Sequence, residues 1–240
     1  MTANAHPGLA AVRARIAAAC ARVGRSTSDV RLVAVTKGRS HDEVAALLAA
    51  GQRDLGENRV QAYQKVASAF AEPDLRWHLV GHLQRNKVRF CRGFTLIHSL
   101  DSERLALALE AEGAKHGHVF HTLLQLNVSG EASKHGLAPS ELAPLLASVR
   151  DLEHVQVEGL MTMAPYDPDP ERARPVFRAL RALALEHGLE QLSMGMSGDL
   201  EVAVEEGATL VRVGSALFEP AQVLTTAAQP GSGAGSSTDT

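Results

Sequence analysis

Lys37 is the residue whose type and position most directly suggest chemistry. It comes directly after RLVAVT at 31–36, a short apolar and β-branched run that is typical of a strand. A lysine at a strand end can form a Schiff base with a carbonyl compound when burial or neighbouring cations favour the neutral amine. A surface lysine at the start of a loop has the same sequence pattern, and for Lys37 taken alone that interpretation is favoured.

Two stretches of glycine and serine near the C-terminal end could bind an anion. The first is GMSGD at 195–199, and the second is Gly214 with Ser215 after the run LVRV. Glycine lets a phosphate approach the backbone, and helix N-termini offer unpaired N–H groups. Ordinary turn glycines explain each stretch equally well. An esterase nucleophile elbow is excluded because the fifth position of G-x-S-x-G is Asp199 here.

The other reactive residue types lack the spacing of a known site. The 11 histidines contain no H-E-x-x-H motif and no Cys/His zinc pattern, so we expect no metal site. His78 lies at a predicted strand end, where a histidine with structural hydrogen bonds is more common than a catalytic base. The basic segment QRNKVRFCR at 84–92 is typical of a solvated helix face, with a partner or anion surface as the less common alternative.

The elements that must position these residues alternate between strand and helix. After a first amphipathic helix that includes Leu9, Val12 and Ile16, eight strand-like runs are separated by helical segments. This alternation predicts parallel strands with crossover helices. Eight units favour one (β/α)8 barrel of the TIM type over an open doubly wound sheet, with an extra N-terminal helix. The predicted strands are 31–36, 53–57, 77–80, 94–98, 119–128, 155–160, 191–195 and 210–213.

The starts of two predicted helices contain residues that bear on where the helix begins. Asp101 is a plausible N-cap for the helix at 101–112. Pro175 lies near the start of the helix at 174–187, so that helix either begins there or is kinked. Further helices are predicted at 84–91 and 139–150.

Length and composition fit a single barrel domain. The 240 residues are 45% hydrophobic and carry a net charge of −3, which excludes whole-chain disorder and favours neither nucleic acid nor an anionic membrane as a partner. No long apolar run or secretory signal is present, and Cys20 and Cys91 are far apart, so we expect a cytoplasmic protein. We expect residues 1–224 to form the barrel domain and the Gly/Ser-rich 225–240 to be a disordered tail.

Six motifs in order carry a resemblance to a known family. From about Leu32 to Phe218 the chain resembles the pyridoxal phosphate homeostasis protein family, which is related to the barrel domain of alanine racemase. The motifs are VAVTK at 33–37, GENRVQ at 56–61, WHLVGHLQRNK at 77–87, NVSGEASKHG at 127–136, GLMTMAP at 159–165 and LSMGMSGDLEVAVEEGATLVRVGSALF at 192–218.

The resemblance implies a cofactor and the residues that hold it. Lys37 would carry pyridoxal 5′-phosphate (PLP) as an internal aldimine, and Arg212 would face the pyridine nitrogen. A guanidinium disfavours a proton on that nitrogen, so the cofactor would stabilise carbanions weakly. By the same resemblance, the phosphate would be held by Ser197, Gly214 and Ser215, with Asn58 and Met194 beside the ring.

Three functions follow for testing. The leading one is a PLP-binding protein that buffers or delivers the cofactor inside the cell without a defined catalytic turnover. The alternatives are a PLP-dependent amino-acid racemase and an interaction protein that uses the basic segment 84–92. A racemase needs a second base, for which Tyr166 is the only candidate, because Tyr63 is predicted to pack in the core. Apo forms of PLP enzymes are expected partners, nucleic acid and membrane are not, and a monomer or weak dimer is expected.

Overall fold

The protein folds into a closed barrel of eight parallel strands, in which each strand pairs with its neighbours in sequence and β1 pairs with β8. The computed structural model describes residues 6–70, 72–131 and 135–218. The predicted (β/α)8 barrel is therefore confirmed. The strands are β1 Arg31–Val35, β2 Asp54–Glu57, β3 Arg76–Leu79, β4 Leu96–Leu100, β5 Phe120–Gln125, β6 Val155–Met161, β7 Gln191–Ser193 and β8 Leu210–Val213.

Eight α-helices surround the strands within the described ranges. They are α1 Pro7–Arg22, α2 His41–Ala49, α3 Val60–Ala67, α4 Glu103–His116, α5 Leu142–Val149, α6 Arg174–Glu186, α7 Leu200–Glu205 and α8 Ser215–Phe218. Short 3₁₀ segments lie at Thr27–Asp29, Arg85–Phe90, Pro139–Glu141 and Pro170–Ala173. None of these helices is long and apolar enough to cross a membrane.

Local sequence signals explain how several helices begin and end. The His6 ring accepts the Leu9 N–H at the start of α1, where Pro7 occupies the first turn. Ser40 and Glu43 form a reciprocal capping box at the start of α2. Gly117 adopts a left-handed conformation with φ 61° and ends α4. These caps fix where α1 and α2 begin and where α4 ends.

Several boundaries differ from the sequence predictions. Strand β4 is Leu96–Leu100 rather than 94–98, because Phe94 N–H bonds the Cys91 carbonyl in a turn. Helix α4 begins after Ser102 rather than Asp101. The segments at 84–91 and 139–150 both contain 3₁₀ turns. Pro175 lies in the first turn of α6, so that helix begins there without a kink.

Strand alternation divides the core into two layers. Side chains such as Val33 and Val35 form an inner cluster, whereas Leu32 and Ala34 pack outward toward the helices. Helix α1 packs against α7 and α8, and a Cβ on Gly8 would overlap the Leu217 carbonyl oxygen. The inner cluster closes the barrel and leaves the carboxyl ends of the strands at one open mouth. The complete inner cluster is Val33, Val35, Val80, Leu96, Leu123, Met161 and Leu210.

The predicted tail and domain boundary lie outside the described residues. Residues 225–240 and the boundary at 224 fall beyond the described range, which ends at residue 218.

Candidate functional site

A cavity of about 560 Å³ opens at the carboxyl ends of the strands. This is the end at which (β/α)8 barrels place their functional residues, because all eight parallel strands end there. Six of the seven residues proposed from the sequence line its wall: Lys37, Asn58, Ser197, Arg212, Gly214 and Ser215. Residues that are 178 positions apart in the sequence are thus brought into one site.

Lys37 and Asn58 enter the cavity from neighbouring strands. Lys37 is exposed two residues after β1, and Asn58 follows β2 directly. The residues before them are joined, because the Thr36 hydroxyl donates a hydrogen bond of 2.6 Å to the Glu57 carboxylate. Glu57 is buried, and burial raises the pKa of its carboxyl. This pair ties the ends of β1 and β2 together.

Arg212 is a buried cation in the cavity wall. It lies on β8 opposite Val33 of β1. Its Nη1 donates to the Ser193 hydroxyl at 2.5 Å, and its Nη2 donates to the Thr162 carbonyl at 2.9 Å. Burial lowers the pKa of the guanidinium to about 10, so it still carries its charge near neutral pH. The cavity therefore has a fixed positive group with further N–H donors available.

Two serine hydroxyls lie side by side after the carboxyl ends of β7 and β8. The Ser215 hydroxyl donates to the Ser197 hydroxyl at 3.1 Å, and the Ala216 N–H approaches the same Ser197 oxygen at 3.4 Å. Gly198 leaves open space, since a Cβ there would meet no atom within 4 Å. This arrangement of hydroxyl and backbone donors suits an anion with several acceptor oxygens.

Two contacts fix the loop that carries Ser197. The Met196 N–H donates to Asp199 Oδ1 at 2.6 Å, and burial raises the pKa of the Asp199 carboxyl. From α1, Arg15 donates to the Ser197 carbonyl at 2.9 Å and also forms a bidentate ion pair with Glu201 of α7. The extra N-terminal helix therefore supports the loop from outside the barrel.

The structure does not bring Met194 to the cavity. Its side chain is fully buried in the outer core, and it is not among the residues that line the site. Strand alternation gives the reason: Ser193 points inward to Arg212, so the next residue points outward. The Met194 side chain therefore packs in the core outside the strands, and a place for Met194 beside the ring stays a prediction.

The remaining wall carries histidine and tyrosine side chains. The rings of His82 and His135 stack with centroids 4.7 Å apart, and His82 also contacts Asp101. Tyr166 lines the cavity but is 94% exposed. Among the described residues no group of three or more His, Cys, Asp or Glu side chains is arranged to hold a metal ion.

Comparisons with known proteins place this barrel among relatives. The family model of the alanine racemase N-terminal domain matches residues 8–221. The pyridoxal phosphate homeostasis protein of Aquifex aeolicus (strain VF5) is 42% identical over 90% of this chain and 97% of its own. That of Deinococcus radiodurans is 48% identical over 87% of this chain and 98% of its own. The chain belongs to the pyridoxal phosphate homeostasis protein family.

Solved structures agree with this membership. PipY of Synechococcus elongatus PCC7942, in its structure with PLP bound, is 38% identical with a TM-score of 0.75, and the match covers 85% of this chain and all of PipY. Alanine racemase of Clostridium difficile 630 is 13% identical with a TM-score of 0.66, over 79% of this chain and 52% of the racemase. The second comparison shows a shared barrel fold alone.

Ser193, Asp199 and Arg15 support the site and are not predicted as site residues from the sequence. Ser193 could have been found by alternation, because it precedes an outward residue on the strand next to Arg212. Asp199 could have been found by its place at the start of a helix. No sequence signal points to Arg15, because its contact with Ser197 joins residues 182 positions apart.

Proposed function

We propose that this protein binds PLP at the mouth of the barrel and acts in PLP homeostasis by buffering or delivering the cofactor. The observation that carries the proposal is the presence of Lys37, Arg212 and Ser197 in the wall of one cavity. An amine, a buried cation and a hydroxyl-rich loop match the aldehyde, ring nitrogen and phosphate of PLP. The names of the relatives and the PLP-bound PipY structure support the same assignment.

The residues present fit each part of the cofactor. Lys37 would hold it covalently through its amine, and Arg212 would donate a hydrogen bond to the ring nitrogen. The 3.1 Å pair of hydroxyls at Ser197 and Ser215, with Gly214 beside them, would hold the phosphate. Asn58 would lie beside the ring. When bound, PLP supplies an electrophilic aldehyde and an aromatic ring that can delocalise negative charge.

Arg212 limits the chemistry that the site could perform. Its guanidinium stays charged near neutral pH, because the pKa that burial lowers is still about 10. A cation beside the pyridine nitrogen disfavours a proton there, and an unprotonated ring is a weaker electron sink. We therefore propose a binding protein without efficient amino-acid turnover.

Location, partners and extent belong to the same proposal. We propose a cytoplasmic protein, a monomer or weak dimer, that passes PLP to apo forms of PLP enzymes. We also propose that residues 1–224 form one PLP-binding domain and that 225–240 are a tail.

A transfer assay tests the function. Protein loaded with PLP is mixed with an excess of an apo PLP enzyme, and recovery of the recipient's activity is compared with recovery from the same concentration of free PLP. We expect saturable binding of PLP by absorbance and protein-dependent recovery. Absence of PLP binding at micromolar concentrations would contradict the proposal.

A further inference from the structure

A chain of buried polar side chains crosses the barrel interior beneath Arg212. Ser193 Oγ lies 2.8 Å from His98 Nδ1, and His98 Nε2 lies 2.9 Å from His78 Nδ1. His78 Nε2 in turn lies 3.0 Å from Asp54 Oδ1. The Ser193, His98 and His78 side chains are fully buried, and they come from three different strands. Hydrophobic residues normally fill such positions, so the polar side chains need a reason.

Asp54 is the acceptor at the end of the hydrogen-bond chain that is farther from Arg212. Asp54 receives two hydrogen bonds from Arg76, at 2.8 Å and 2.7 Å, and Arg31 lies 3.9 Å from the same carboxylate. Burial alone would raise the pKa of Asp54, but the bonds from Arg76 and His78 outweigh it and lower the pKa to about 2. Asp54 is therefore ionised near neutral pH and can only accept, which makes His78 Nε2 a donor.

The near end is anchored as a donor. Arg212 can only donate, so the Ser193 oxygen accepts its Nη1–H and the single hydroxyl proton is free to go to His98 Nδ1. Burial lowers the pKa of His98 and of His78, and each ring stays neutral with one proton. Both protons then sit on Nε2, and every hydrogen bond runs in one direction from Arg212 to Asp54. The reverse direction would place two acceptors face to face at His78 and Asp54.

We propose that Ser193, His98 and His78 are positioning residues that hold the Arg212 guanidinium in one orientation, with its remaining N–H groups toward the cavity. The Thr162 carbonyl fixes a second guanidinium nitrogen. The hydrogen-bond chain thus sets which atom of Arg212 faces the ring nitrogen. This inference rests on the proposed binding of PLP and names residues that do not touch the cofactor.

The donor-to-acceptor direction of these hydrogen bonds is tested first in the protein without cofactor. Long-range ¹H–¹⁵N NMR correlations should show His78 and His98 as neutral Nε2–H tautomers from about pH 7 to about pH 9. A proton on Nδ1 of either ring would overturn the proposal. This measurement does not depend on PLP, so its failure is distinct from failure of the proposed function.

The positioning role is tested with PLP labelled with ¹⁵N in the ring. In wild-type protein we expect the ring nitrogen to stay unprotonated across the same pH range. In Ser193→Ala and His98→Leu we expect its signal to move upfield toward the pyridinium position, and PLP affinity to fall roughly tenfold, as when one hydrogen bond to a charged group is lost.

Two variants separate positioning from general stability. Ser193→Thr keeps the hydroxyl and should keep the wild-type ring signal. Thr122→Val removes another buried hydroxyl, which bonds the Gln156 carbonyl on β6, and should leave the ring signal unchanged even where stability falls. If Ser193→Ala, or His98→Leu should the first not fold, binds PLP with the wild-type ring signal, the positioning role is wrong. If wild-type protein binds no PLP, the proposed function is contradicted, and the positioning role that rests on it is contradicted as well.

Discussion

The Thr36 hydroxyl and the Glu57 carboxylate meet at 2.6 Å and join the strand ends that carry Lys37 and Asn58. The second carboxylate oxygen of Glu57 is buried without a hydrogen-bond partner in the described part of the chain. An ionised carboxylate in this position is costly, since burial disfavours the charged form. The Glu57 carboxyl thus joins two strand ends at the site, although its ionisation destabilises the folded protein.

Replacing Glu57 with glutamine should change how stability depends on pH. Burial raises the pKa of Glu57 above its ordinary value near 4.5. As the pH rises above that value, Glu57 loses its proton more readily in the unfolded chain than in the folded protein. Ionisation of Glu57 therefore lowers the free energy of unfolding of the wild type as the pH rises. We expect the free energy of unfolding of Glu57→Gln, relative to wild type, to be larger at about pH 8 than at about pH 5, by denaturant titration.

Glu43→Gln is the control for this prediction. The Ser40 N–H in the capping box and the nearby Arg39 lower the pKa of partly exposed Glu43, so it is ionised in both folded and unfolded chains above about pH 5. Its stability difference from wild type should be flat over the same range. A flat difference for Glu57→Gln as well would show that its charge carries no cost in the fold.

Removing Arg15 should weaken PLP binding from outside the cavity. Arg15→Met keeps the aliphatic stem but loses the bonds to the Ser197 carbonyl and Glu201. One lost hydrogen bond of about 0.5–1.5 kcal/mol corresponds to a fall in affinity of about 2- to 12-fold. Arg22→Met is the matched control. Arg22 lies on the same helix, but its Nε pairs with Glu205 Oε1 at a distance of 2.6 Å and does not contact the loop. Equal effects of the two variants on PLP affinity, by fluorescence titration, would rule out support of the loop.

The serine hydroxyls should recognise the phosphate specifically. Ser197→Ala or Ser215→Ala removes a hydrogen bond to a charged acceptor, worth about 1.5–3 kcal/mol, so PLP affinity should fall about 10- to 150-fold. Pyridoxal without phosphate should be much less affected. Ser148→Ala, on α5 with its hydroxyl bonded to the Leu145 carbonyl, is the control. Equal losses for PLP and pyridoxal would show that the serines shape the loop instead.

The sequence was enough to predict the barrel but not all of the site. Alternation of strands and helices predicts the closed (β/α)8 topology, because the repeated unit leaves few other arrangements. Six residues at strand ends reach the cavity as expected from that topology, whereas Met194 points outward. The Ser193–His98 contact could not be predicted, because two side chains 95 positions apart meet only once the barrel closes.

We expect no efficient racemisation of amino acids. Tyr166, the candidate second base, is 94% exposed, and the charged Arg212 disfavours a protonated ring. With alanine, serine and branched-chain amino acids, solvent-deuterium exchange at Cα should stay far below the usual enzymatic range of about 1–10³ s⁻¹. Turnover within that range that is abolished in Tyr166→Phe would favour the racemase alternative.

Chemical trapping at Lys37 tests the central claim most directly. PLP is added to the purified protein, the Schiff base is reduced with borohydride, and the labelled peptide is identified by mass spectrometry. Lys37→Ala serves as the control, because it removes the amine from the cavity wall while leaving the other lysines in place. We predict one pyridoxyl group per chain on the peptide that contains Lys37, and none in Lys37→Ala. Labelling of another lysine, such as Lys65 or Lys134, with Lys37 unmodified would contradict the account.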